Sequence, residues 1–303
     1  LVGSEMCIRD RTITEPYNRS FINDLSKKKK FHSSLKVILP KKLQFKNYTK
    51  DLLRKKFDLI VIALSLPGID FIGKELKDLK IKAPILLLTK GLKYNKINKK
   101  ILTIPELLEK NYNVKNISVL KGPCLAKNLA NKNLTSVVIA NKNIQIAKQI
   151  GKLISTKYYL SEFSNDIIGI EISSAIKNIY SMIIGAGQNL NTSSGLFQRS
   201  IIEMEYLIKY FKGKDSTILG LAGVGDLYVS AAGGRNSKMG SYLGKGFTFQ
   251  KAKKKFMPKE TVEGEKLAKE IAPFIFKRIN KNRIPLMTNL LRAIKNNKKL
   301  KLV

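Results

Sequence analysis

The chain has 303 residues, 44% of them apolar, so it can bury a sizeable core, and disorder throughout is excluded. Lys and Arg number 57 against 22 Asp and Glu, for a formal net charge of +35, but only 9 of the basic residues are Arg and they are scattered. Arg is the side chain suited to bidentate phosphate contacts, so a solvated Lys-rich surface, in the codon range of an AT-rich genome, is preferred to nucleic-acid binding; such a surface still steers small anions. Cys7 and Cys124 give no metal spacing and no pairing pattern, which fits a reducing cytoplasm, and His32 alone supports neither a His triad nor a metal cluster.

In chain order, the start comes first. Residues 1–10 hold no Lys, no Met start and no long apolar run. They read as a scar ahead of a fragment rather than as part of the fold. From Phe57 to about Leu160, short apolar runs alternate with amphipathic stretches. Runs at 59–64, 85–89, 117–120 and 136–140 predict strands, the first buried on both faces as in a parallel sheet. Stretches 69–79, 105–110, 125–131 and 144–154 predict the helices between them. This alternation predicts an α/β sheet with right-handed crossovers. After about Ser161 the strand signals fade. Helices are predicted at 166–190, 194–210, 261–280 and 285–297, so the second half reads as all-α. The expected domains are 1–160 and 161–303.

Parallel sheets bind ligands at the carboxyl ends of their strands. Two of the turns there, Thr89-Lys90-Gly91 and Lys121-Gly122-Pro123-Cys124, set Lys beside Gly. Gly lets backbone N–H groups approach a ligand, and Lys supplies a counter-charge for phosphate.

The 19 residues from 172 to 190 carry one charge, Lys177. In a chain that puts Lys almost everywhere, such a helix is expected to be buried. A membrane span is the competing reading by length, but the Ser, Asn, Gln and Gly content argues against it. A buried Lys has its pKa pushed down and becomes a usable general base; a rim Lys with its head in water is the alternative. Eight of the 20 glycines then fall between Gly220 and Gly246. The run Gly220-Leu221-Ala222-Gly223-Val224-Gly225-Asp226-Leu227 reads as a turn aiming the Asp226 carboxylate at a partner such as Lys177, or as a simple helix cap. Gly233-Gly234-Arg235-Asn236 offers guanidinium and amide donors as a phosphate clamp. Glu263-Gly264 opens a later helix, where the carboxylate caps backbone donors or meets a ribose hydroxyl.

Together these residues resemble the bacterial NAD(P)-dependent glycerol-3-phosphate dehydrogenases. The resemblance runs from about Asn18 to the C-terminus. It rests on eight ordered motifs: Thr89-Lys90-Gly91-Leu92, Leu120 through Ala126, Gly169-Ile170-Glu171, Ala175-Ile176-Lys177-Asn178, Arg199 to Met204, Gly220 to Leu227, Arg235-Asn236 and Val262-Glu263-Gly264. It implies an incomplete Rossmann-type parallel-sheet domain followed by an all-α C-terminal domain. It also implies interconversion of sn-glycerol 3-phosphate and dihydroxyacetone phosphate for phospholipid synthesis in the cytoplasm. By resemblance Lys177 accepts the proton of the substrate C2 hydroxyl, with Asp226 beside it as the second catalytic residue. Lys90, Gly122, Cys124, Gly234, Arg235 and Asn236 join them as substrate contacts. Lys90, Ala126, Arg235, Thr261 and Glu263 fall to the cofactor, NAD or NADP. No metal, nucleic acid or membrane span is implied, and a homodimer is compatible. Lys90 and Arg235 are both expected near Lys177, lowering its pKa.

Three departures stand out. Cys124 and Gly234 each replace a usual Ser. The family's G-x-G-x-x-G strand–turn–helix, which seats the pyrophosphate on a helix N-terminus, is not found ahead of the first predicted strand, so an N-terminal truncation is expected, and with it a fragment that lacks a competent cofactor site and is inactive by itself. Two other readings remain at this point: a 3-hydroxyacid or ketopantoate-type reductase working through an equivalent Lys, and a non-catalytic protein binding nucleic acid through its charge.

Overall fold

A computed structural model describes residues 11–27, 30–77, 79, 81 and 83–302. The leading segment 1–10, and Cys7 with it, lies outside the described residues. The first part is a small outlying unit: β1 (Arg11–Ile13), α1 (Arg19–Lys27), the hairpin of β2 (Phe31–His32) and β3 (Val37–Ile38), then β4 (Leu43–Phe45) and α2 (Lys50–Leu53). β1 and β4 pair in parallel, and Leu25, Leu39 and Leu43 make a small core of their own.

The main sheet follows in β5 (Ile60–Ile62), α3 (Gly68–Lys77), β6 (Ile85–Leu87), the hairpin β7 (Leu92–Asn95) and β8 (Lys100–Thr103), α4 (Ile104–Tyr112), β9 (Ile117–Lys121), α5 (Ala126–Ala130), β10 (Thr135–Ala140), α6 (Ile144–Ile154) and β11 (Tyr159–Ser164). Its strands lie in the order β11-β10-β9-β6-β5. Alternate residues serve opposite faces, as the pleat requires. Ile85 and Leu87 pack under α3 and α4 with Ile69, Ile72 and Leu108, whereas Leu86 packs with Ala147 and Ile150 of α6. α4 starts sharply because Thr103 and Glu106 form a reciprocal cap, with Pro105 in the first turn. Rings of Tyr17 and Tyr48 meet Phe71 of α3, each at a centroid distance of 5.5 Å, and hold the outlying unit to the sheet domain.

Four features differ from expectation here. β5, β6 and β9 are parallel, but β10 runs antiparallel to β9, and β11 is parallel to β10. A parallel return needs a full crossover helix; between Lys121 and Thr135 the chain forms only the five-residue α5. β5 is half-buried rather than buried on both faces, because it is the last strand of this sheet among the described residues. The β7–β8 hairpin was not expected at all. β11 also carries the sheet to Ser164, across the expected boundary at 160.

The second half is helical: α7 (Ile167–Gly185), α8 (Leu190–Tyr210), a 3-10 turn (Asp215–Leu219), a π turn (Leu221–Gly225), α9 (Asp226–Ala231), α10 (Arg235–Gly244), α11 (Phe249–Phe256), α12 (Glu263–Arg278), a second 3-10 turn (Lys281–Arg283) and α13 (Pro285–Asn296). The single helix expected over 166–190 is α7 plus the beginning of α8. α7 stops at Gly185, and the Asn189 side chain caps α8 by accepting from the Thr192 amide at 2.9 Å. α7 is long and apolar enough to cross a bilayer, but 94% of its most apolar window is buried inside the protein. It is the core of the helical half, ringed by α8, α9, α10, α12 and α13. α10 approaches it at backbone contact: a Cβ on Gly240 would overlap the Met182 carbonyl, and one on Gly244 the Ala186 carbonyl.

Candidate functional site

Lys177 sits on α7 and is 6% exposed. Its Nζ lies 2.6 Å from Asp226 Oδ1 and also donates to Ser230 Oγ. Asp226 opens α9, and Ser230 is one turn further along the same helix, so both point to one side. The other carboxylate oxygen, Oδ2, lies 2.7 Å from Lys90 Nζ. One buried carboxylate therefore holds two lysines, Lys90 from the carboxyl end of β6 and Lys177 from the core helix. The Gly-rich segment achieves this as a π turn running into α9 rather than as an open turn. Burial pushes the Lys177 amine below the ordinary amine value, and the Lys90 charge pushes the same way, against Asp226 and Glu263. The rim alternative for Lys177 is thereby excluded.

Around this centre the predicted residues fall into two groups. Gly122 follows β9 at φ +123, where a Cβ would lie 3.3 Å from Val137 Cα and 3.6 Å from Leu221 Cβ. Gly122, Lys90 and Cys124 line a cavity of about 260 Å³ at the carboxyl ends of β6 and β9, with Leu86, Leu88, Leu120 and Tyr159 supplying apolar wall. Cys124 is a free, exposed thiol, and desolvation against this wall raises its pKa while Lys90 opposes. Ala126 and Thr261 are exposed.

Arg235 and Asn236 are engaged differently from expectation. Arg235 is not the second cation acting on Lys177; its Nη2 pairs with Glu263 Oε1 at 3.0 Å, both side chains half-exposed. The cation acting on Lys177 is Lys90. Asn236 is 7% exposed and its amide is used internally. Its Oδ1 accepts from the Gly264 amide at 2.9 Å, and its Nδ2 donates to Asn178 Oδ1 at 3.1 Å, tying α10 to α12 and α7. The amide of Gly234, which replaces a usual Ser, donates to the Ser230 carbonyl at 3.3 Å. That contact sets the N-terminus of α10, with its unbonded amides, beside the serine that holds Lys177. Ser230 and Asn178 were not predicted as site residues. The four-residue spacing from Asp226 to Ser230 is the signal that α9, had it been recognised, would have turned into a contact.

Comparison with known proteins adds the following. The model for the NAD-dependent glycerol-3-phosphate dehydrogenase N-terminus matches residues 11–147, and that for the C-terminus of the same family matches 166–303. The chain is 33% identical over 199 residues to an NADP(+)-dependent glycerol-3-phosphate dehydrogenase of Archaeoglobus fulgidus, covering 61% of this chain and 59% of that protein. It is 32% identical over 243 residues to a glycerol-3-phosphate dehydrogenase [NAD(P)+] of Mycoplasma mobile, covering 76% of this chain and 70% of that one. The match thus spans between three-fifths and seven-tenths of these curated relatives. In fold it is similar to the crystal structure of a glycerol-3-phosphate dehydrogenase from Coxiella burnetii, with a TM-score of 0.82 at 23% identity over 96% of this chain and 88% of that chain.

Proposed function

The chain belongs to the NAD-dependent glycerol-3-phosphate dehydrogenase family, and from that premise we propose that it interconverts sn-glycerol 3-phosphate and dihydroxyacetone phosphate in the cytoplasm, supplying phospholipid synthesis. The sheet domain, through β11, forms the nucleotide side, and the helical half from α7 onward the substrate side. The observation that carries this reading is the buried Lys177 amine held by Asp226 opposite Lys90.

NAD or NADP is the cofactor. The cavity at the ends of β6 and β9 fits the nicotinamide end of such a dinucleotide, because its apolar wall suits a flat ring while Lys90 suits an attached phosphate. Lys90, Ala126, Arg235, Thr261 and Glu263 are the residues proposed to hold it. Bound there, NAD(P) would supply the hydride acceptor for the substrate C2 in oxidation and the hydride donor to the ketone in reduction. The chain's own residues handle the proton. In oxidation, neutral Lys177 Nζ takes the proton of the C2 hydroxyl, so negative charge does not build on that oxygen. In reduction, the Lys177 ammonium gives the proton to the C2 oxygen. Asp226 fixes the amine in place and favours its ammonium form. Ser230 takes one of its N–H groups, which orients the remainder. The substrate phosphate falls to Lys90, Arg235 and the N-terminus of α10, where helix amides favour an anion.

The test follows NADH and NADPH oxidation by the purified full-length protein with dihydroxyacetone phosphate and, separately, with a 2-oxo acid such as ketopantoate. Turnover of the phosphate ester alone is expected, and Lys177→Ala is expected to lower it by about 10²–10⁴-fold. Reduction of the oxo acid but not of the ester, or near-normal turnover by Lys177→Ala, overturns the assignment.

A further inference from the structure

Lys121 and Glu171 are the most deeply buried ions among the described residues, and the proton chemistry above uses neither. Each side chain has no exposed surface, and Nζ lies 2.7 Å from Oε1. Lys121 ends β9, and Glu171 lies on α7, six residues before Lys177. The same Nζ donates to the carbonyl of Thr89. Thr89 immediately precedes Lys90, and its own Oγ1 donates to the Leu64 carbonyl at 2.6 Å. The turn carrying Lys90 is therefore gripped from both sides, by Leu64 through the Thr89 hydroxyl and by Lys121 through the Thr89 carbonyl.

A buried ion pair is a poor source of stability, since desolvation consumes most of the Coulombic gain. Burial pushes Lys121 below and Glu171 above their ordinary values, each opposed by its partner. An apolar pair of the same volume would fill this space at no loss. What it would not supply is a donor to Thr89 that is anchored on α7.

We propose that Lys121, held by Glu171, is a positioning residue that sets the Lys90 turn of the sheet domain in register with the α7 helix that carries Lys177. The proposal rests on the dehydrogenase reading for its consequence, which is that Lys90 meets the phosphorylated substrate at a fixed distance from the Lys177 amine. The hydrogen-bond and ion-pair partners of Lys121 are the Thr89 carbonyl and Glu171, so it acts through the backbone of the turn.

The experiment compares Lys121→Met, Glu171→Met and the double variant with the parent, all as full-length protein. It reads thermal midpoint, KM and kcat for dihydroxyacetone phosphate, and amide hydrogen exchange of the peptide spanning 88–92. Each single variant leaves one ion buried alone and is expected to melt well below the parent. The double variant is expected to recover most of that loss. Its KM is nevertheless expected to stay about tenfold raised with kcat changed less than about threefold, the signature of lost ground-state positioning. Exchange at 88–92 is expected to speed up by about tenfold. A double variant that melts, binds and exchanges like the parent overturns the proposal, since the pair is then only filling space. If the Met pair does not fold, Lys121→Gln with Glu171→Gln replaces it, because the shorter amide falls short of the Thr89 carbonyl. If the parent chain does not reduce the substrate at all, the dehydrogenase reading fails by itself. Exchange at 88–92 then decides on Lys121: faster in the double variant upholds the grip on Thr89, unchanged refutes it.

Discussion

Asp226→Asn is the most telling substitution in this molecule. The asparagine keeps the shape of the side chain and removes a charge that two ammonium groups share. At 2.6 Å from Lys177 the lost attraction is about 6 kcal/mol at an effective dielectric constant near 20. The loss in stability is smaller, because Lys177 can release its proton instead of remaining buried and unpaired. Removing one member of a buried pair costs about 3 kcal/mol at the low end of what such deletions show. In a protein of this size that is a fall in Tm of roughly 5 °C. The functional consequence is a shift in pH dependence. Asp226 raises the Lys177 pKa against burial and Lys90, so its loss lets that pKa drop further. In the proposed reaction, oxidation of glycerol 3-phosphate needs the neutral amine, so its acidic limb moves to lower pH. Reduction of dihydroxyacetone phosphate needs the ammonium, so its alkaline limb also moves to lower pH. Initial rates in both directions across pH, with a thermal melt, measure this. If both limbs of the variant coincide with those of the parent, Lys177 is not the titrating group and the reasoning fails.

Other outcomes follow from the same structure. The folded-state pKa of Lys177 lies below its ordinary value of 10.5, so the native state binds fewer protons than the unfolded chain between those two values. Stability of the parent relative to Lys177→Met should therefore rise with pH across that window, which denaturant melts at stepped pH would reveal. Gly122→Ala forces a side chain into the left-handed region against Val137 and should cost about 1–3 kcal/mol while raising KM. Gly240→Ala drives a methyl into the Met182 carbonyl and should abolish the folded helical half, seen as loss of the cooperative melt. Tyr180→Phe removes the hydroxyl that donates to Glu203 at 3.0 Å. It should cost about 1–3 kcal/mol with kcat unchanged, because Glu203 accepts from the Leu286 and Met287 amides at the start of α13, away from Lys177.

The sequence was most legible where this chain departs from its own habits. A Lys-rich chain that withholds Lys from 172–190 announces a buried helix, and the one Lys left there is the one the fold pairs with Asp226. Apolar runs located β5, β6, β9 and β10 within a few residues. They carried no information on strand direction, so the reversal at β10 was invisible. The β7–β8 hairpin hid because Lys93, Asn95, Lys99 and Lys100 blur the alternation that marks a strand. Arg235 was read as free because its partner, Glu263, lies 28 residues away and meets it only when α10 and α12 pack. Lys121 was read beside Gly122 as a counter-charge for phosphate, whereas the fold encloses it against Glu171. Among so many lysines nothing local marks one as fully enclosed, and only the pairing of β9 with α7 does so.

The central place of α7 also bears on how the chain is made. This helix is complete once residue 185 has been synthesised, yet the last element that covers it, α13, begins only at Pro285. At ribosomal rates of about 5–20 residues per second, the intervening hundred residues take roughly 5–20 s. Throughout that interval a nascent segment with the length and greasiness of a bilayer anchor has no completed bundle to enter. Ser173, Ser174 and Lys177 make that segment more polar and so less attractive to the insertion machinery.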